Sequence, residues 1–186
     1  IQDHKFWMLQ TRTGKRTGIA AIKIATDMVQ ERLISKKTAL CRVQPNQIYE
    51  SLLKNIEPTS LIGKKAVGHG LPAGPGASSG KAVFTAEKAE FLGRGGEKVI
   101  LIREETSPED IHGMHSSDGI LTSRGGLTSH AALVARGWGK SCIVGCQTLQ
   151  INNNNRSCLV GEAKIKEGDW ITLNGSTGEI FCGQLD

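Results

Sequence analysis

An α/β fold is predicted by three observations. The stretch Ser123 to Gly145, SRGGLTSHAALVARGWGKSCIVG, follows the apolar residues Gly119, Ile120 and Leu121 with a Gly-Gly turn, then the helix formers Ala131 to Arg136, then a second apolar run from Cys142 to Val144. It reads as strand, glycine loop, helix, strand. Between Glu97 and Arg103, KVILIR carries a continuous apolar run from Val99 to Ile102, which implies a strand covered on both faces. The close of the chain reads as a hairpin, with strands Trp170–Leu173 and Glu179–Cys182 and a tight turn at Asn174-Gly175. Over residues 61–186 strands and hairpins are joined by a few helices, without strict alternation of the two.

Ahead of that region, residues 5–12 (KFWMLQTR) read as a short strand, with Trp7, Leu9 and Thr11 on one face and Met8, Gln10 and Arg12 on the other. Ile19, Ile22, Ala25, Val29 and Leu33 follow helical spacing, which predicts an amphipathic helix from Gly18 to Leu33 with a Lys23–Asp27 pair on its exposed side. A second helix is expected from Gln47 to Lys54, ended by Pro58, with Ile48, Leu52 and Leu53 on one side. Two helices and a strand cannot enclose a core, so their apolar face needs a partner surface or stays exposed.

Gly63, Lys64 and Lys65 read as a hinge. GLPAGPGASSGKAVF, Gly70 to Phe84, reads as an ordered glycine-rich loop leading into a strand, with His69 exposed just before it. Ser107-Pro108-Glu109-Asp110 is a helix start, with Ser as cap, Pro at the first position and acids in the first turn, for a helix running to about His115. His112 and His115 share one face of it, but no third metal ligand follows at suitable spacing, and Glu104-Glu105 faces no second carboxylate cluster. The Asn run 152–155 breaks any strand and reads as a turn.

Composition narrows the function classes. A chain of 186 residues holds one ordinary core with an appendage. The net charge of +5 sits wholly in residues 1–60, with ten Lys or Arg against five Asp or Glu, and residues 61–186 hold thirteen of each. No basic stripe interleaved with aromatics accompanies it, which argues against nucleic-acid binding. The five cysteines lack the paired spacing of a disulfide framework and favour a reducing compartment. No apolar run is long enough for a membrane span.

The candidate chemistry lies at His130. The first turn of a helix leaves amide N–H groups unpaired and carries partial positive charge, a natural seat for a phosphoryl group. That field favours the uncharged imidazole, whose lone pair can attack, and His is among the side chains that form covalent intermediates. Gly125 and Gly126 let backbone approach an oxyanion, and Thr128 or Ser129 can cap the helix or donate to phosphate oxygens. The same residues also fit an ordinary helix cap beside a solvated His.

GGLTSHAALVARGWGKSCIVGC resembles the phosphohistidine signature of the phosphoenolpyruvate-utilising enzymes, and it is most like their dikinase branch. GLPAGPGASSGKAVF and REETSPEDIHGM, Arg103 to Met114, resemble that family too, and FWMLQTRTGKRTG, Phe6 to Gly18, resembles the end of its nucleotide-binding domain. The resemblance implies a swivelling β/β/α phosphohistidine domain over residues 64–186, a helical linker over 18–63, and the end of an ATP-grasp domain over 1–17. A chain of this length, opening at Ile1, is then expected to be a piece of a longer enzyme with a pyruvate-binding barrel beyond it.

The resemblance further implies that His130 takes phosphoryl groups from ATP and passes them to phosphate and pyruvate. Gln10 and Arg12 would face the nucleotide. Thr128 would match the residue phosphorylated by a regulator in plant members. Mg²⁺ and a monovalent cation would serve the full enzyme without being held here, the assembly would be a homo-oligomer, and the compartment would be the cytoplasm or a reducing organelle such as a plastid. Phosphoenolpyruvate synthase and the sugar-transport enzyme I share the TSH signature and remain alternatives, as does a docking module in which His130 is only a cap.

Overall fold

Strand β4, Val99–Arg103, is covered on both faces, and its residues Val99 to Ile102 have no solvent exposure at all. The computed structural model describes residues 4–8, 10, 11, 14 and 16–186. It divides into two compact units, Ile1–Leu52 and Leu53–Asp186.

In the second unit β4 is the core of an eight-stranded sheet. The other strands are β1 (Gly68–His69), β2 (Leu71–Gly74), β3 (Ala77–Val83), β5 (Gly119–Thr122), β6 (Ser141–Val144), β10 (Trp170–Asn174) and β11 (Glu179–Cys182), in the order β1-β11-β10-β3-β4-β5-β6-β2. The run β3-β4-β5-β6 is parallel. Its crossovers carry helices α4 (Ala86–Arg94), α5 (Ile111–Ser116) and α6 (His130–Gly137). Strands β7 (Leu149–Asn152), β8 (Ser157–Val160) and β9 (Ala163–Lys166) form a separate three-stranded antiparallel sheet.

Alternation along β4 explains the layering, because successive side chains of a strand point to opposite faces. Ile100 and Ile102 pack with Leu121, Ile143, Val160 and Ile165, beneath the small sheet. Val99 and Leu101 pack with Met114, Ile120, Ala131, Ala132 and Ala135, beneath the helices. The result is small sheet, large sheet, helices, a β/β/α arrangement. All four parallel strands end toward the loops that follow β4 and β5, the edge of an open parallel sheet where ligands bind.

The hairpin, the Ser107 helix start and the Ser123–Gly145 unit appear as expected. Four details differ. Gly70–Phe84 is not a loop before a strand: it already forms β2, which pairs with β6, and then turns at Gly76, φ 96°, into β3. The hairpin bend spans residues 175–178 and takes its left-handed residue at Gly178, φ 85°, not at Gly175. His69 is exposed but sits in β1. The Asn run is the turn of the β7–β8 hairpin, whose short strands carry too few apolar residues to stand out in the sequence.

In the first unit, α1 covers Gly18–Gln30, capped by Thr17, and α3 covers Pro45–Leu52. Between them lies α2, Lys36–Arg42, capped by Ser35, a helix too short to show periodicity. Gly18 lets α1 meet α3 closely, since a Cβ there would fall 2.0 Å from the Gln47 carbonyl oxygen. The buried stripe of α1 is therefore small, Gly18, Ala21 and Ala25, while Ile19 and Leu33 are 57% and 63% exposed. α1 stops at Gln30 rather than Leu33. α3 stops at Leu52, and Pro58 instead opens a 3₁₀ turn, Pro58–Leu61, in the second unit. The Lys23–Asp27 pair forms at 3.0 Å.

No strand forms over the described residues of 5–12. Lys5 makes an isolated bridge, and Phe6, Trp7 and Met8 are exposed. An apolar cavity of about 650 Å³, lined by Ile22, Val29, Leu40 and Ile48 among others, is the exposed apolar face the sequence predicted for this unit.

Candidate functional site

The β5–α6 loop is held at its front by the end of β4 and by the last residue of β5. The Arg124 amide donates to the Glu104 carbonyl at 2.8 Å, the Ser123 amide to the Arg103 carbonyl at 3.2 Å, and the Thr122 hydroxyl to the Arg124 carbonyl at 2.6 Å. The chain then turns at Gly125, φ 97°. A Cβ there would stand 3.0 Å from the Ser129 side chain, so both space and backbone require glycine. Gly126 has no such restriction; its Cβ position opens on empty space.

Of the two candidate caps, the structure selects Ser129. Its backbone is extended (φ −66°, ψ 162°) and its hydroxyl accepts from the Ala132 amide at 3.4 Å. Thr128 is exposed and its hydroxyl makes no hydrogen bond among the described residues. The backbone amides of Gly126, Leu127, Thr128, His130 and Ala131 likewise have no protein acceptor among the described residues. Consecutive unpaired amides around a helix start form a concavity suited to an anion. No acid stands in the first turn of α6 to fill it.

His130 is the first residue of that helix and is half-buried. Its Nε2 is covered and has no hydrogen-bond partner. A buried polar nitrogen without a partner costs about 1–3 kcal/mol, a cost relieved by any group that bonds to it. The ring is therefore only partly exposed, with Nε2 on its covered side.

The back of the loop is fastened by a residue that sequence reading passed over. Arg136, in the last turn of α6, donates from Nη2 to the Leu127 carbonyl at 2.6 Å and from Nε to the Ala73 carbonyl of β2 at 3.0 Å. Read from sequence, a basic residue there only complements the helix dipole. Beneath the helix, Cys142 directs its sulfur to the Ala131 carbonyl at 3.8 Å, and burial, opposed by Arg136, pushes its thiol up to about 12.

The other sequence candidates lie apart from this loop. Gln10 is exposed in the first unit, and Arg12 lies outside the described residues. His112 and His115 are exposed on α5, where the His115 ring packs edge-on against Trp138 at 5.0 Å. Among the described residues no cluster of three or more His, Cys, Asp or Glu could hold a metal ion.

A histidine thus opens a helix with unpaired amides at its start, on a β/β/α body. Residues 95–178, β4 to the β10–β11 turn, match the family described as PEP-utilising enzyme, mobile domain. Along its whole length the chain is related to pyruvate, phosphate dikinases. It is 51% identical over 184 residues to the chloroplastic pyruvate, phosphate dikinase 1 of Arabidopsis thaliana, covering 99% of this chain and 19% of that protein. With pyruvate, phosphate dikinase 2 of Oryza sativa subsp. japonica the identity is 51% over 185 residues, covering 100% of this chain and 21% of that protein. The chloroplastic enzyme of Flaveria pringlei gives 51% over 184 residues, with 99% and 19% covered. The chain thus spans about a fifth of the length of these relatives. No helix among the described residues is long and apolar enough to cross a membrane.

Proposed function

We propose that this chain is the central phosphoryl-carrier segment of a pyruvate, phosphate dikinase, with His130 as the carrier. The observation that carries the reading is the unpartnered Nε2 of His130, the first residue of a helix whose start leaves five backbone amides unpaired. Once the ring turns to bare Nε2, which is covered here, its lone pair attacks the β-phosphorus of ATP and AMP leaves, giving a pyrophosphohistidine. Inorganic phosphate takes the terminal phosphoryl group and departs as pyrophosphate. The remaining phosphoryl group passes to the enolate oxygen of pyruvate, giving phosphoenolpyruvate and restoring the imidazole. The loop amides neutralise the phosphoryl oxygens, and Ser129 and Thr128 hold the helix start and offer a hydroxyl.

One nucleophile cannot stand within about 3–3.5 Å of two separate substrate sites, so the carrier must move between them. Residues 64–186 form the moving body, 18–63 the helical linker, of which 53–63 pack onto the body here, and 1–17 the end of the nucleotide-binding domain, where Gln10 and Arg12 serve ATP. The flanking ATP-grasp and barrel domains of the longer protein, with Mg²⁺ and a monovalent cation, supply the substrate sites. The assembly is a homo-oligomer in a reducing compartment, cytoplasmic or organellar; the five thiols are unpaired here. Thr128, exposed two residues before His130, is open to regulatory phosphorylation, which would set a like charge beside the incoming group.

Full-length protein incubated with ATP labelled at the β-phosphate tests this reading. Acid-labile, alkali-stable label on His130 is expected. Label from phosphoenolpyruvate alone would assign the chain to the sugar-transport enzyme I type, and a folded protein that takes no label from either would make His130 a cap.

A further inference from the structure

We infer that Arg136 is a positioning residue for phosphoryl transfer, holding the amide loop in its receiving shape; this rests on the carrier role of His130. The loop has two halves with different supports. Residues 123–125 are tied to the ends of β4 and β6: the Arg124 amide bonds Glu104, and the Arg124 carbonyl accepts from Gly145 at 3.4 Å. Beyond Gly125, where the unpaired amides lie, that support ends. There the Ser129 amide closes a short turn on the Gly126 carbonyl at 2.9 Å, and the Leu127 carbonyl is held by Arg136 at 2.6 Å.

The second arm of Arg136 fixes what it pulls against. Its Nε bonds the Ala73 carbonyl at 3.0 Å, on β2 at the edge of the large sheet. One planar guanidinium thus ties the amide loop, the helix that bears His130 and the sheet edge. Binding the Leu127 carbonyl turns that oxygen toward α6, and because a peptide is planar, it orients the Thr128 amide as well. The loop then presents donors, not a carbonyl, to an arriving phosphate. A lysine cannot replace this geometry, since an ammonium lacks the rigid fork that reaches two carbonyls at once.

The bland alternative is a staple that merely holds β2 to α6. The two differ in what chemical rescue restores. Full-length protein carrying Arg136→Ala, Arg136→Lys or no change is mixed with ATP labelled at the β-phosphate, and phosphohistidine formation is timed at saturating ATP. Arg136→Ala is expected to lose on the order of 100-fold in rate, the effect of displacing reacting groups by about 1 Å. Added guanidinium at concentrations that do not unfold the protein should recover most of it, and Arg136→Lys should stay slow while melting near wild type. Arg136→Lys reports alone if Arg136→Ala fails to fold. Wild-type rates in either folded variant, or an Arg136→Ala that folds, is slow and gains nothing from guanidinium, would overturn the inference. A wild-type protein that takes no label would instead remove the carrier reading, and this inference with it.

Discussion

Two neighbouring crossovers of the same sheet show what distinguishes a site from a joint. β4, its loop and α5 are built on the same plan as β5, its loop and α6: parallel strand, polar loop, capped helix. In the first, the helix mouth is closed by the protein's own carboxylate. Ser107 and Asp110 form a capping box on the 3₁₀ turn Pro108–Asp110 that leads into α5, with the Ser107 amide donating to Asp110 at 2.9 Å, and Asp110, buried, also faces Arg103 at 3.5 Å. In the second there is no acid in the first turn, five amides lack acceptors and a histidine stands in their midst. The first mouth is closed by the protein's own carboxylate; on the proposed reading the second takes its anion from a substrate.

The comparison breaks most completely at the reacting atom. His130→Ala in the full-length protein should abolish acid-labile label from ATP while thermal melting stays close to wild type; retained label would place the chemistry elsewhere. A smaller effect follows from closing the open mouth as the first one is closed. Ser129→Asp should keep the cap and add roughly 0.5 kcal/mol through the helix dipole, yet slow labelling about tenfold, equivalent to about 1.4 kcal/mol of barrier. A faster label in that variant would contradict the anion seat.

At the closed mouth the outcome should invert. Asp110→Asn weakens the capping box and the Arg103 contact, and should cost about 1–3 kcal/mol in urea unfolding while leaving label formation unchanged. Loss of labelling without loss of stability would mean that the two loops act together. The smallest effect concerns the floor under α6. With its thiol pushed up to about 12 by burial, Cys142 stays protonated at pH 8, so an alkylating agent should modify exposed Cys41 first and leave Cys142 intact in peptide mass spectra. Early modification of Cys142 would show that α6 lifts readily from the sheet.

Much of the second unit was legible in the sequence because its signals are local. Val99 to Ile102 spells a strand buried on both faces, Ser107-Pro108 a helix start, and Thr128-Ser129-His130 a helix mouth. β2 was not legible: Pro72 and Gly74 look like loop residues and are strand only because β6 offers them a partner, with a register shift between them. In the first unit the apolar spacing of Ile19 and Leu33 misled, since close approach at Gly18 moved the contact to Ala21 and Ala25. At the site, His130 and Gly125 could be read as chemistry-bearing residues. Arg136 could not, because its meaning lies in a carbonyl 63 residues away in the chain. Nor could the choice of Ser129 over Thr128 as cap, which depends on backbone angles that the two residue types share.

Phosphorus NMR of the intermediate trapped in full-length protein tests the carrier claim most directly. After reaction with ATP and alkaline quench, the spectrum should show a single phosphoramidate, coupled to the ring protons of residue 130 in the pattern of Nε2 substitution. A phosphorus signal assigned to any other residue, or a protein that turns over with no phosphoramidate accumulating or trappable, would contradict it.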